Sequence, residues 1–206
     1  MDIITRITRQ RGKMQIVINE QETIVVPLSL FRERPLTEGQ PINLEEYDNW
    51  LMVRQYRHAL DRAVACLAAR AHSKHEIEQK LLRVGYRPCT VEMVLYKLER
   101  EHLLNDADFA RQWVEARSGR KMGRSRIAQE LRRKGIDADE AEEALSAIGE
   151  DAQLADAIAL AEKAAARAKS DENPRKTYQR IAAMLARRGF RWDITKEALA
   201  QVLQVD

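Results

Sequence analysis

Two cysteines and two histidines stand in the series Cys66, His72, His75 and Cys89, four side chains that could in principle ligate a zinc ion. The spacing, C-x5-H-x2-H-x13-C, fits none of the common zinc patterns, and Cys66 falls on an apolar helical stripe where cysteine acts as a small hydrophobe. No metal site is expected. His75-Glu76 begins an H-E-x-x-H metalloprotease match, but position 79 is Gln, so the second ligand is missing. The chain carries no G-x4-G-K-[ST] phosphate loop, no G-x-G-x-x-G turn and no G-x-S-x-G elbow. Its acids and histidines form no recognisable general acid and base pair, so no catalytic and no cofactor-binding residues are expected, and the chain is read as a binding protein.

What remains able to do chemistry is charge. Between Arg117 and Gly135 stand eight basic residues, Arg117, Arg120, Lys121, Arg124, Arg126, Arg132, Arg133 and Lys134, against one acid, Glu130. From Asp137 to Glu162 there are nine acids and no Lys or Arg, and from Lys163 to Arg191 basic residues lead again, nine to two, with Arg187 and Arg188 side by side. Clustered Lys and Arg are what phosphate groups select. Part of the striping has a local cause, because cations ahead of a helix-ending glycine and acids behind it both complement helix macrodipoles. The loop "SGRKMGRSR" is not covered by that explanation: four basic residues lie outside helix ends, and two glycines would let backbone approach a partner closely. Solvated surface and anionic-partner site both remain open for these ten residues.

The elements that must position them follow from periodicity. At 206 residues and 45% hydrophobic content, the chain can bury a core, while 33% charged residues and 5% aromatics favour an extended, helix-rich shape. Residues 1–45 read as a small three-stranded antiparallel sheet with a linker: "ITRITRQ" alternates, "MQIVIN" and "TIVVPL" are rich in β-branched residues, and Pro35, Gly39 and Pro41 punctuate a loop. Beyond it lies an internal repeat. Ile77, Leu81 and Gly85, then Ile127, Leu131 and Gly135, then Ile181, Leu185 and Gly189 recur at spacings of four and four, each glycine followed by Tyr86, Ile136 or Phe190. Ser73, Gly123 and Thr177 precede the isoleucines as helix N-caps, each glycine ends the helix in the left-handed conformation, and Asp139 and Asp193 cap the next helix in two of the units. A third helical pattern precedes each pair. The fold class is therefore mainly α, with at least nine helices in three tandem three-helix modules, residues 46–104, 105–149 and 150–206, forming an elongated array after the β segment. Phe109, Trp113 and Trp192 are assigned to core packing. The repeats should carry their own core, so a chain lacking residues 1–42 should stay folded.

Residues 103–145, "LLNDADFARQWVEARSGRKMGRSRIAQELRRKGIDADEAEEAL", closely resemble the middle module of the RecX family, bacterial regulators of the RecA recombinase. The resemblance rests on an L-x-D-x-x-F-A start, a glycine-containing basic loop and an L-x-x-K-G-I close, with Asp106, Phe109, Gly123, Leu131, Gly135 and Ile136 matching the motif. The flanking modules fit the same plan over roughly residues 57–203, the third in degenerate form, and the β segment looks like the extension of longer members. The resemblance implies a non-enzymatic protein that lies in the groove of the recombinase filament on single-stranded DNA. There it would modulate or inhibit filament growth, ATP hydrolysis and strand exchange in recombination and repair, and the ten basic residues become filament-binding candidates. A monomer is expected. The alternative is an independent DNA-binding protein built from helix-turn-helix-like modules. "MDIITRITRQ" lacks a signal-peptide core and no 18-residue apolar run occurs, so a cytoplasmic protein is expected.

Overall fold

Strand β2 (Lys13–Ile18) buries every second residue, Met14, Ile16 and Ile18. That period of two is what a sheet with one wet face requires. The computed structural model, which describes residues 2–168 and 173–203, pairs β2 antiparallel with β1 (Asp2–Gln10) and β3 (Glu22–Pro27). The two-residue turn Arg11-Gly12, both at positive φ, joins β1 to β2. Three strands are expected from the sequence, but β4 (Pro41–Ile42) pairs with the start of β1 and completes the order β3-β2-β1-β4. Two residues are too few for alternation to show. A short helix, α1 (Leu28–Glu33), also follows β3 where none is expected.

The chain divides into two compact units, Met1–Asn105 and Asp106–Asp206. In the first, α2 (Leu44–Ala69) starts at Asn43, whose side chain accepts a hydrogen bond from the Glu46 amide, close to where the first helical module is expected to begin. Helices α3 (Lys74–Val84) and α4 (Pro88–Arg100) complete the unit. Gln55, fully buried on α2, accepts from the Arg87 amide at 3.0 Å and so caps α4, which has no capping side chain of its own. Arg87 in turn grips Asp48 of α2 with both terminal nitrogens. The apolar face of the sheet and all three helices share one core, running from Ile4, Ile16 and Val26 through Leu51 to Leu81 and Leu98. The first module therefore has no core separate from the sheet, contrary to the expectation that it could do without residues 1–42.

The second unit holds α5 (Asp106–Ser118), α6 (Arg124–Arg133), α7 (Ala138–Ser146), α8 (Glu150–Ala165), α9 (Pro174–Arg188) and α10 (Trp192–Leu203). Ten helices thus occur among the described residues, and every strand lies before residue 43. One apolar cluster centres on Phe109, Ile127, Leu131 and Leu145, another on Ala157, Ile181, Leu185 and Leu199.

The three glycines end α3, α6 and α9 by one device. Gly85, Gly135 and Gly189 have φ of +102°, +74° and +90°. The amides of Tyr86, Ile136 and Phe190 reach back to the carbonyls of Leu81, Leu131 and Leu185 at 3.4, 3.2 and 3.2 Å, the long bond of a Schellman motif. The starts are less regular. Ser73 caps α3 and Gly123 precedes α6 as expected, but α9 begins one turn ahead of Thr177, where Asn173 accepts from the Arg175 amide and Pro174 takes the first helical position. Thr177 is buried inside the helix. Asp137, rather than Asp139, caps α7, and Asp193 lies in the first turn of α10 rather than ahead of it. Trp192 is another departure: Phe109 is buried and Trp113 half-buried, but Trp192 is 64% exposed. As the first residue of α10 it precedes the stripe that Ala198 and Leu199 bury.

Candidate binding surface

The ten basic candidates all fall in the second unit, and the fold sorts them by what they touch. Glu130, half-buried on α6, is a hub. Its Oε2 accepts from Arg117 Nε at 2.7 Å and from the Trp113 indole at 3.1 Å, and its Oε1 accepts from Arg126 Nε at 3.3 Å. Burial pushes the Glu130 carboxyl up, but bonds and charge from Arg117, with help from Arg126 and Trp113, outweigh it and hold the group below the usual glutamate value. The Arg117 guanidinium and the Lys134 ammonium each lie 4.1 Å from the Trp113 ring centroid. Phe109 stacks beside Trp113 at 5.7 Å. Three cations that sequence offers to a partner therefore sit around one internal carboxylate and one indole.

Of the four basic residues expected outside helix ends, only Arg120 and Lys121 lie in the loop between α5 and α6, because α6 already begins at Arg124 and includes Arg126; the stretch as a whole turns inward. Its glycine does allow close approach, but to this chain's own α9: the Gly123 amide donates to the Arg188 carbonyl at 2.9 Å and the Ser125 amide to the Gly189 carbonyl at 3.1 Å. A Cβ on Gly123 would lie 2.2 Å from the Gly189 carbonyl carbon. Arg188 Nη1 donates to the carbonyls of Arg120 and Lys121 at 3.1 and 3.4 Å. Gln153, buried on α8, accepts from the Arg124 amide at 2.9 Å, Lys121 Nζ meets Asp156 at 2.8 Å, and Arg124 pairs with Glu142. Sequence reasoning missed Gln153, Asp156 and Glu142 because each is remote in the chain and belongs to the acidic stripe. The complementary signs of the two stripes were the available signal.

Four candidates are left over. The side chains of Arg120, Arg132, Arg133 and Arg187 are exposed and have no ion pair among the described residues. Arg132 and Arg187 flank a groove between α6, α7 and the end of α9. Cys66 is half-buried and Cys89 exposed, while His72 is buried with Nδ1 2.9 Å from Glu76 Oε2. Among the described residues, no cluster of metal-ligating side chains occurs and no helix is long and apolar enough to cross a membrane.

Three family models match this arrangement in order: RecX, first three-helix domain, over residues 59–98; second three-helix domain, over 105–145; and third three-helix domain, over 151–199. A Regulatory protein RecX from Clostridioides difficile (strain 630) is 30% identical over 210 residues, spanning 100% of this chain and 98% of its own length. The chain belongs to the RecX family. A Regulatory protein RecX from Mycobacteroides abscessus is 38% identical over 141 residues, 65% of this chain and 68% of that one. Among solved structures, a regulatory protein RecX superposes with a TM-score of 0.67 at 22% identity over 96% of this chain and 98% of that one, a likeness of fold. RecX from Lactobacillus salivarius gives 0.68 at 25% identity over 74% and 99%. The RecX motif residues Phe109, Leu131 and Ile136 are buried, Gly135 ends a helix and Gly123 lies against α9, so the motif describes packing.

Proposed function

We propose that this RecX-family chain is a non-enzymatic regulator that binds the RecA recombinase and its filament on single-stranded DNA. Acting in the cytoplasm as a monomer, it modulates or inhibits filament growth, ATP hydrolysis and strand exchange. The observation that carries the reading is the set of cations left over once internal pairs are made: Arg120, Arg132, Arg133 and Arg187 stay exposed on a unit whose other basic candidates are committed. Uncommitted arginines are suited to phosphates or carboxylates of a polyanionic partner.

An independent helix-turn-helix reading would need the first turn of a recognition helix to enter the major groove. In α6 that turn is covered, with the amides of Gly123, Arg124 and Ser125 bonded to Arg188, Gln153 and Gly189. The free cations gather at its other end, Arg132 and Arg133.

The test is the recombinase's single-strand-dependent ATP hydrolysis. The parent chain is expected to suppress it, and the triple variant Arg132→Glu, Arg133→Glu, Arg187→Glu to need about tenfold more protein or greater at low salt, with a flatter salt dependence. A parent chain that leaves hydrolysis unchanged yet binds bare duplex tightly would make the DNA-binding alternative correct.

A further inference from the structure

The groove flanked by Arg132 and Arg187 encloses about 950 Å³, within the range of sites that hold a ligand or a partner's side chains. Its floor is aliphatic: Ile136 and Leu145 are buried beneath it, with Ala128 and Ala141 half-buried alongside. Its rim is basic. Arg132 and Arg187 are uncommitted, and the acid on the rim, Glu142, already answers Arg124. No aromatic ring lines it. Single-stranded nucleic acid is held by aromatic platforms under its bases, so a basic rim over an aliphatic floor fits a nucleotide poorly and an acidic peptide well.

The first unit supplies an internal comparison. Its groove between α3 and α4 uses the same repeat positions fifty residues earlier, Glu78 for Ala128, Leu82 for Arg132 and Val91 for Ala141. That groove encloses about 420 Å³ and is lined by Glu78, Glu92 and Glu99 with Lys74, whose ammonium pairs with Glu99 at 2.7 Å and leaves two acids in excess. One architecture thus occurs in two versions, a roomy basic groove and a narrow acidic one. An acidic ligand would be attracted by the first and repelled by the second.

We propose that the groove of the second unit receives an acidic segment of the protein partner, which sets an aliphatic side chain on the Ile136 and Leu145 floor while flanking carboxylates meet Arg132 and Arg187. The proposal rests on the filament reading and assigns this groove to the filament's protein rather than to its DNA. A carboxylate matches the planar fork of arginine in two parallel bonds, and a branched aliphatic side chain replaces water over Ile136 and Leu145.

The probe is a short fluorescein-labelled peptide with one leucine among glutamates, titrated with the full chain and followed by anisotropy. The parent peptide should bind. Its Leu→Ser form and its Glu→Gln form should each bind about tenfold more weakly or worse. On the protein, Ala138→Trp at the exposed edge of the large groove and the pair Arg132→Glu with Arg187→Glu should each abolish binding, while Glu92→Trp in the small groove should leave it intact. Failure of the parent peptide to bind, or equal binding by the Leu→Ser form, overturns the proposal. So does displacement of the peptide by an oligothymidine that Ala138→Trp also fails to bind, because the groove would then be a nucleic-acid site. In the ATP hydrolysis assay, suppression by Ala138→Trp equal to that by the parent would remove the groove from the filament contact and leave the filament reading standing. A parent that binds the peptide but suppresses nothing would sink the filament reading and not the groove.

Discussion

Glu130 decides how much of the basic cluster is available. Arg117, Arg126 and the Trp113 indole all donate to it, and Lys134 shares the Trp113 ring with Arg117. Glu130→Gln keeps the shape but removes the charge, leaving two guanidiniums without their carboxylate, and should lower stability by about 2 kcal/mol, the scale of a hydrogen bond to a charged group. The pH dependence has a definite sign. The folded-state pKa lies below the ordinary glutamate value, so the unfolded chain takes up the proton first as pH falls. The contribution is fully present at neutral pH and disappears as pH falls from the ordinary glutamate range through the lowered folded value. Thermal midpoints between pH 7 and pH 3 should fall more for the parent than for Glu130→Gln, and parallel curves would remove Glu130 from this role. At this scale Phe109 and Trp113 could be read from their helical stripe, whereas Trp192 could not. Its spacing resembles that of core residues, but a position at the first residue of a helix can face solvent whatever its type.

Helix ends were legible where the backbone forces a residue type and obscure where several types serve. Only glycine takes the left-handed position without strain, so Gly85, Gly135 and Gly189 announced three helix ends. N-caps can be Ser, Thr, Asp or Asn, and the acid-rich segments offered several: Asp137 beat Asp139, and Asn173 with Pro174 beat Thr177. Gly123 has a different reason for being glycine. Its φ of −71° suits any residue, but a Cβ would collide with the backbone of Gly189. Three substitutions separate these causes. Gly135→Ala should cost about 1 kcal/mol or more from its positive φ. Gly123→Ala should cost about 1–3 kcal/mol from the collision alone and break the bonds between the Gly123 and Ser125 amides and α9. Gly189→Ala meets both penalties, a φ of +90° and a Cβ 2.3 Å from that of Arg126, and should be the worst of the three. Chemical denaturation ranks them. If Gly123→Ala were neutral, the close approach of the loop to α9 would not hold in solution.

At the scale of the whole chain the sequence displayed its repeat but not the sharing of its cores. Ile77, Leu81 and Tyr86 read as one module's core, yet they sit in one cluster with Ile4, Ile16 and Val26 of the sheet, because long-range packing leaves no mark at local spacing. Removing residues 1–42 should therefore unfold the first unit and leave the second, with its own clusters, cooperative. The loss of circular dichroism should exceed that of the deleted strands, and residues 106–206 expressed alone should keep their helical signal. The charge stripes were equally visible and equally ambiguous. Opposite signs along a chain can address an outside partner or each other, and only the fold shows that Lys121 meets Asp156 and Arg124 meets Glu142. That division yields a paired experiment. Reversal of Arg120, Arg132, Arg133 and Arg187 to Glu removes exposed charges without internal ion pairs, so thermal stability should change little while suppression of the recombinase's ATP hydrolysis weakens sharply with low-salt affinity. Reversal of Arg117, Lys121, Arg124 and Arg126 sets new carboxylates against Glu130, Asp156 and Glu142, so the thermal midpoint should drop first and any loss of binding follow from unfolding. The exposed set would be the binding surface only if its binding loss appears at an unchanged melting temperature. Equal destabilisation by the two sets would mean that the internal pairs do not hold the second unit together, and the division between committed and available cations would fall with them.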